Sequence, residues 1–288
     1  MLPRLTPYLF LSPALFIIGT FVFLPMLAAL LISLSDYNMI ETPRWLGLAQ
    51  YQRLFQDPFF WNALGNSLLY LLIVVPILSI APIFLAVLVN KKIPGIAFFR
   101  SLYYLPVVTS LIVTGLMWKW VYEENGVLNF ILQSLHLINT PIAWLADPSL
   151  SLFAVMAVTV WTGMGFYMVI YLAGLQSIPK SLYEAAELQN ISRLKQTLFI
   201  TIPMLRPYIA LVAVISSIAA MKIFEEIYVI TGGGPLSQTE TLVFFIYENA
   251  FIEFDMGYAS AAGIVLFCVT FILSILNLLL TRETTNEK

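Results

Sequence analysis

Residues 63–89 read ALGNSLLYLLIVVPILSIAPIFLAVLV and contain no charged side chain. About 20 apolar residues in a helix cross the ~30 Å hydrocarbon core of a bilayer, because each residue adds ~1.5 Å. The apolar run is continuous rather than alternating, which favours a helix over a barrel strand, and a helix satisfies its own backbone groups within lipid. This stretch therefore predicts a transmembrane helix.

Five further uncharged apolar stretches occur along the chain, each bounded by charges or turn residues, and they cover residues 8–34, 101–118, 150–178, 207–221 and 257–281. In chain order the third stretch (101–118) and the fifth (207–221) are short. We expect the third to extend into Trp120, Val121 and Tyr122, and the fifth into Ile223, Phe224 and Ile227. The sequence thus predicts an all-α membrane protein with six transmembrane helices in a single domain, residues 1–288.

The composition is also that of a membrane protein, since 60% of the 288 residues are hydrophobic and 10% are charged. Soluble domains have ~45–50% apolar and ~25% charged residues. The net charge of -2 includes no basic excess, so we expect no nucleic-acid partner. Cys268 and His136 are the only residues of their kinds, which argues against a metal cluster or a Ser-His-Asp hydrolase. We expect no catalytic residues and no metal site.

The positions of Lys and Arg predict the orientation of the chain. With the N-terminus in the cytoplasm, most basic residues fall on the cytoplasmic side, and only Arg44, Arg53, Lys119 and Lys222 fall outside. We therefore expect an N-in, C-in topology. The cytoplasmic residues are Arg4, Lys91, Lys92, Arg100, Lys180, Arg193, Lys195, Arg206, Arg282 and Lys288.

The segment of residues 177–206, between the fourth and fifth stretches, is unusually helical for a loop. Ser181 followed by Glu184 is a capping-box pattern, and Leu182, Ala186 and Leu188 are expected to share one apolar side. After a turn at Asn190 and Ser192, Leu194, Leu198 and Ile202 recur at helical spacing until Pro203 and Pro207 interrupt them. Two short helices at a bend could dock into a groove on a cytoplasmic partner or rest on lipid headgroups.

The residues Glu184-Ala185-Ala186 and Ile200-Thr201-Ile202-Pro203 resemble the EAA loop of ABC importer membrane subunits. Asn190 replaces the usual Gly of that loop and Ile202 replaces the commoner Leu. Asn tolerates a positive φ better than most residues, so we expect the bend to persist. The resemblance implies that the EAA loop, residues 177–206, couples the chain to an ATPase through Glu184, Ala185, Ala186, Leu188, Asn190 and Pro203.

Separated motifs along nearly the whole chain are similar to the maltose and glycerol-phosphate permease branch, in particular to the larger membrane subunit of maltose transporters. They include Trp45-Leu46-Gly47-Leu48, Asp57-Pro58, Phe99-Arg100, Leu105-Pro106, Trp118 with Trp120, and Thr231-Gly232-Gly233-Gly234-Pro235. The resemblance implies a type I ABC importer permease fold and a single transmembrane permease domain in a bacterial or archaeal cytoplasmic membrane. The sequence contains no G-x-x-x-x-G-K-[ST] pattern, which is the phosphate-binding loop of many ATPases. We therefore expect that this chain is not an enzyme and that a partner subunit hydrolyses ATP.

The partners follow from the same resemblance. They are a second, homologous permease, two ATP-binding subunits or a dimer of one, an external solute-binding protein, a sugar and the lipid bilayer. ATP and Mg would bind the partner ATPase, and no cofactor is expected in this chain.

Candidate path residues lie mainly in the fourth stretch, where aromatic faces alternate with small residues in a manner suited to stacking on sugar rings. The resemblance implies that four residues of this stretch match positions that contact sugar in maltose permeases, namely Thr159, Gly163, Phe166 and Tyr167. In the fifth stretch Ser216 and Ala220 match comparable positions, and Ser110 in the third is a further candidate.

Lys222, Glu225 and Glu226 form a charged cluster near the outer end of the fifth stretch, for which the sequence predicts i,i+3 or i,i+4 pairing, or side chains that snorkel to water, rather than substrate binding. The outer side carries an acidic excess, which favours a neutral saccharide or glycoside over a phosphorylated anion.

Two other classes of function are compatible with a bundle of membrane helices. An ion-coupled secondary carrier would need an ion site within the spans, where charged residues are missing. A non-transporting membrane assembly protein would need no path, and its EAA helix would simply rest on the membrane surface.

Overall fold

The computed structural model of the chain describes residues 6–91 and 93–283 and is predominantly helical. Arg4, Lys92 and Lys288, which contributed to the predicted orientation, lie outside these residues. Two π-helical turns, Gly19–Phe23 and Thr197–Thr201, interrupt the α-helices, and two short strands, β1 (Ser35–Asp36) and β2 (Arg44–Trp45), pair antiparallel. The α-helices are α1 (Thr6–Ile18), α2 (Leu24–Ile32), α3 (Ala49–Gln56), α4 (Pro58–Val89), α5 (Ile96–Val108), α6 (Leu111–Val121), α7 (Val127–Ser134), α8 (Ser151–Ser177), α9 (Lys180–Leu188), α10 (Arg193–Gln196), α11 (Ile202–Met204), α12 (Arg206–Met221), α13 (Glu225–Ile230), α14 (Leu242–Phe251) and α15 (Met256–Glu283).

Within the described residues, four helices are long and apolar enough to cross a membrane, and the number of spans is up to six if each of two bent helix pairs counts as one span. The continuous spans are Tyr8–Ile32, Pro58–Val89, Ser151–Ser177 and Met256–Asn277. The bent pairs are Ile96–Val108 with Leu111–Val121, at 97°, and Arg193–Met204 with Arg206–Met221, at 70°. The six spans agree with the six apolar stretches of the sequence.

The third apolar stretch departs from the expected single helix, because α5 and α6 meet at a break. Thr109 is extended, with φ −78° and ψ 140°, and Ser110 follows with ψ 132°. Pro106 removes one backbone donor from the last turn of α5, and the Thr109 hydroxyl donates to the Leu105 carbonyl at 3.0 Å. Both features favour the end of a helix at this point.

The fifth span is also shorter than expected. It does not continue through Ile223, Phe224 and Ile227, because α12 ends at Met221 and α13 begins at Glu225. Residues 222–224 therefore form a non-helical connection between two helices.

The described residues fall into two compact units, the first of which comprises residues up to Trp61 together with Phe245–Cys268. Arg53 on α3 donates to the Asp255 carboxylate at 2.5 Å, and its guanidinium lies 4.1 Å from the centre of the Tyr258 ring. The Tyr258 hydroxyl donates to Asp57 at 2.5 Å. These contacts join α3 to the start of α15.

The first unit also contains the first span, α1 to α2, whose large apolar side chains are exposed. Phe10 is 79% exposed and Phe21 is 73% exposed. Such exposure is expected of a helix that contacts hydrocarbon, because lipid is as apolar as these side chains.

The second unit comprises Asn62–Phe244 and the chain from Val269, and its apolar core lies around α4, α8 and α12. Glycines allow two close helix contacts. A Cβ on Gly165 of α8 would lie 2.2 Å from the Tyr103 carbonyl oxygen of α5, and a Cβ on Gly115 of α6 would lie 2.7 Å from Val229 of α13. The two halves of the broken third span thus pack against different neighbours.

Candidate functional site

A cavity of about 660 Å³ lies within the second unit. It is lined by side chains from α4, α5, α6, α8, α12 and α13 together with the connection after α12. The broken third span contributes Leu111 at the start of α6, and the non-helical connection after the fifth span contributes Lys222 to Phe224. Irregular backbone at membrane depth is tolerated where it lines a cavity.

Most of the predicted path residues lie around this cavity. The exception is Ser110, which lies at the break between α5 and α6 but does not line the cavity, although its neighbour Leu111 does. The residues that line it are Thr159, Gly163, Phe166, Tyr167, Ser216 and Ala220.

The fourth span, α8, supplies the aromatic wall of the cavity. The ring of Phe166 is 40% exposed and packs edge-on against Tyr167, with ring centres 5.2 Å apart. Gly163, one turn before Tyr167, keeps this wall open: a Cβ there would lie 3.1 Å from a Leu78 methyl group. The hydroxyl of Ser216 donates to the Val212 carbonyl at 2.7 Å and is therefore already engaged within α12.

Three hydrogen-bonded polar side chains lie beside the aromatic wall. The Thr159 hydroxyl donates to Glu226 Oε1 at 3.3 Å, and a hydrogen bond joins the same hydroxyl oxygen to the Tyr70 hydroxyl. Glu226 is buried at the start of α13 and Tyr70 is fully buried on α4. The residues therefore come from three elements that are distant in sequence.

The predicted pairing of Lys222 with Glu225 or Glu226 is wrong. Among the described residues no ion pair joins these side chains, and Glu226 instead contacts Thr159. The reason is the break between α12 and α13, which removes the helical spacing on which the pairing depended. Tyr70 was likewise missed, because a single Tyr within the apolar run of α4 carries no sequence signal of a cavity.

The EAA loop contains α9, α10, a π-helical turn and α11. The predicted capping box is not formed, because Pro179 rather than Ser181 stands before the first residue of α9 and no side chain caps the helix. The helix starts two residues earlier, since Pro179 fixes its own φ and accepts Leu182 N–H at its carbonyl.

Asn190 ends α9 in the left-handed conformation that the sequence predicted, with φ 54°. Asn190 N–H donates to the Glu187 carbonyl at 2.9 Å, and Ile191 N–H donates to the Ala186 carbonyl at 3.0 Å. This pair of bonds is a Schellman motif, in which the residue after the C-cap takes a positive φ. The motif explains why an Asn suits a position where the EAA loop usually has Gly.

The apolar side predicted for α9 is wrong in one member. Ala186 is buried, Leu182 is 40% exposed and Leu188 is 87% exposed. Leu188 lies one helical turn after Glu184, so it shares a side with that carboxylate and with Ala185, all three of which are exposed. We call Glu184, Ala185 and Leu188 the exposed side of α9.

Pro203 lies in α11, two residues before Leu205, where the chain bends by 70° into α12. Side-chain hydrogen bonds within the EAA loop were not predicted. Tyr183 and Thr201 are joined through their hydroxyls at 2.9 Å, and Gln196 donates to the Ile191 carbonyl at 2.9 Å. An amphipathic pattern does not reveal such bonds between two short helices.

Comparison with known proteins gives a consistent result. Residues 45–286 match the family described as binding-protein-dependent transport system inner membrane component. A probable ABC transporter permease, YurN of Bacillus subtilis, is 35% identical over 96% of this chain and 95% of its own length. The lactose transport system permease LacF of Rhizobium radiobacter is 34% identical over 96% of this chain and 94% of its own length.

The fold is similar to that of a bacterial ABC transporter involved in the import of the acidic polysaccharide alginate. The TM-score is 0.82 at 24% sequence identity, over 98% of this chain and 96% of that chain. The predicted type I importer permease fold and the resemblance to ABC importer membrane subunits are confirmed. The chain belongs to the inner membrane components of binding-protein-dependent transport systems, and it is a permease subunit of an ABC importer rather than an enzyme.

Proposed function

We propose that this chain forms half of the translocation path for a neutral saccharide or glycoside, which an external solute-binding protein delivers. A second, homologous permease forms the other half. Two ATP-binding subunits, or a dimer of one, bind ATP and Mg and drive transport from the cytoplasmic side of a bacterial or archaeal cytoplasmic membrane, in which this chain is N-in and C-in.

The observation that carries the proposal is the cavity of about 660 Å³ within the membrane-spanning part of the chain. Its wall combines the rings of Phe166 and Tyr167 with the gap at Gly163, and its polar edge contains the Thr159 hydroxyl. Aromatic faces stack on sugar rings, while a few polar groups orient a ligand within a mostly apolar site. The named substrate of a relative, lactose, supports a saccharide.

Coupling to the ATPase is assigned to the exposed side of α9. Glu184, Ala185 and Leu188 project from the loop, whereas Ala186 is buried and holds α9 against the rest of the unit. A helix of this kind docks through its exposed side chains into a groove of the partner. Asn190 and Pro203 act differently, since they fix the end of α9 and the entry into α12.

Charge reversal at Glu184 tests the coupling role. Glu184→Lys is expected to abolish uptake by the assembled transporter without preventing membrane insertion of the chain. Glu124→Lys is the control, because Glu124 is also an exposed carboxylate but lies outside the EAA loop. Normal uptake by the Glu184→Lys transporter would contradict the coupling role.

The substrate class is tested on the cognate binding protein. A thermal-shift screen against neutral saccharides, glycosides and phosphorylated sugars is expected to show stabilisation by a neutral member. Stabilisation by a phosphorylated sugar alone would overturn the proposed class, and the coupling role would be unaffected.

A further inference from the structure

We propose that Glu226 determines specificity in the cavity, where its carboxylate accepts hydrogen bonds from the hydroxyls of a neutral saccharide and excludes sugars that carry a carboxylate of their own. This inference rests on the proposed function and adds a residue for which the sequence predicted a different role.

The first observation is the position of Glu226. Its side chain lines the cavity although the residue is only 7% exposed, while the neighbouring Glu225 is exposed. Burial of a carboxylate is costly unless it is hydrogen-bonded or paired, so such a group is retained where it serves a purpose. Glu226 is therefore a buried acidic group at the wall of the cavity, in reach of a ligand there.

The second observation is how the carboxylate is held. A hydroxyl carries one proton, so when Thr159 donates to Glu226, Tyr70 must donate to Thr159. The resulting chain runs from Tyr70 through Thr159 to Glu226 Oε1. Because an ionised carboxylate has about four acceptor sites, the bond from Thr159 and one from backbone N–H leave acceptor capacity for ligand hydroxyls. Tyr70 and Thr159 position the carboxylate, and Glu226 would contact the ligand.

The third observation concerns charge. The other charged residues that line the cavity are Lys222 and Glu225, both exposed, and within the described part of the chain neither forms an ion pair with Glu226. A carboxylate on the ligand would meet a like charge that no bonded cation neutralises. A hydroxyl at the same place would donate to it. Specificity of this kind arises from repulsion of the wrong ligand as much as from attraction of the right one.

The test compares matched probes on the purified transporter, assembled with its partner subunits in nanodiscs and without the binding protein. The pairs are glucose with glucuronate, galactose with galacturonate, and lactose with lactobionate, and binding is followed by saturation-transfer difference NMR. We expect the wild type to prefer at least one neutral sugar over its carboxylated partner. Glu226→Gln keeps the shape and removes the charge, so it should reduce that preference roughly tenfold or more, because the repulsion between like charges is lost.

Two controls separate the role of the charge from a purely structural role. Glu226→Asp keeps the charge and should retain the preference, and Glu124→Gln removes a carboxylate that is exposed and does not line the cavity. An unchanged preference in Glu226→Gln, an equal loss for both members of each pair, or a lost preference in Glu226→Asp would overturn the role of Glu226. If the wild type binds no neutral saccharide, the proposed substrate class fails instead.

Discussion

The hydroxyl oxygens of Tyr183 and Thr201 lie 2.9 Å apart and join α9 to the π-helical turn that precedes α11 and α12. The two residues stand 18 positions apart in sequence, on either side of the bend at Asn190. Because Thr201 is buried and Tyr183 is half-buried, little water competes for the bond. The hydrogen bond therefore ties the helix assigned to coupling to the start of the fifth span, so that displacement of α9 also displaces the base of α12.

Tyr183→Phe should weaken this connection and leave the fold intact. The loss of one hydrogen bond costs about 0.5–1.5 kcal/mol. We expect uptake to fall several-fold while the amount of assembled transporter is unchanged, because α9 then moves without fully moving α12. The measurement is uptake together with ATP hydrolysis by the reconstituted transporter. Leu182→Ala, on the preceding residue, is the control, and equal effects of the two variants would argue against a specific role of the hydroxyl.

Substitution at Asn190 tests the Schellman motif. Asn190→Gly should be tolerated or stabilising, since Gly adopts a positive φ without steric cost. Asn190→Val places a β-branched residue in the left-handed region, at a cost of about 1–2 kcal/mol, and should loosen the end of α9. The check is copurification of the ATPase with each variant. Equal copurification of the Gly and Val variants would show that the conformation of this bend is irrelevant to coupling.

The contact between α5 and α8 depends on Gly165. A methyl group at Gly165 would lie 2.2 Å from the Tyr103 carbonyl oxygen, so Gly165→Ala must push the two helices apart at a cost of about 1–3 kcal/mol or more. We expect a lower unfolding temperature for the purified protein. Gly65→Ala is the matched control, because no atom lies within 4 Å of a Cβ there and Ala favours the helix. An unfolding temperature for Gly165→Ala equal to that of the control would contradict the close contact.

The spans were predictable because their signal is local. Continuous apolar sequence long enough to cross a bilayer specifies a helix without reference to the rest of the chain, as α4 and α8 illustrate. The break within the third span and the end of the fifth span at Met221 were not predictable, whereas Pro203 and Pro207 did predict the bend before α12. The break at Thr109 and Ser110 depends on the Thr109 hydroxyl together with the nearby Pro106. The sequence is equally apolar on both sides, so composition does not reveal where one helix ends and the next begins.

Some cavity residues were predictable from a local pattern, and others were not. Phe166, Tyr167 and Gly163 repeat along one helix, so a pattern on that helix brings them together. Glu226 and Tyr70 reach Thr159 only through tertiary packing, and the helical spacing in the sequence suggested a different partner for Glu226. The partners of these two hydrogen bonds are separated in sequence by 67 and by 89 positions. A single sequence carries no signature of such distant contacts.

The segment between α6 and α8 depends on one buried amide, that of Asn129, which is 1% exposed. Its Nδ2 donates to the carbonyls of Glu124 at 3.1 Å and Ile142 at 2.9 Å, and its Oδ1 accepts Ile142 N–H and Trp144 Nε1–H, each at 3.1 Å. Asn129→Leu keeps a similar volume but removes these part-buried hydrogen bonds, at about 0.5–1.5 kcal/mol for each bond.

We expect Asn129→Leu to increase hydrogen exchange at residues 123–146 severalfold, because the amide holds both ends of this segment together, while exchange in α8 stays slow. Gln133→Leu is the control, since Gln133 is exposed on the same helix, α7, and its side chain makes none of these bonds. Slow exchange at 123–146 in Asn129→Leu, matching the control, would mean that apolar packing around Trp144 holds the segment without the amide. Faster exchange in α8 as well would mean that the segment and the fourth span unfold as one cooperative unit.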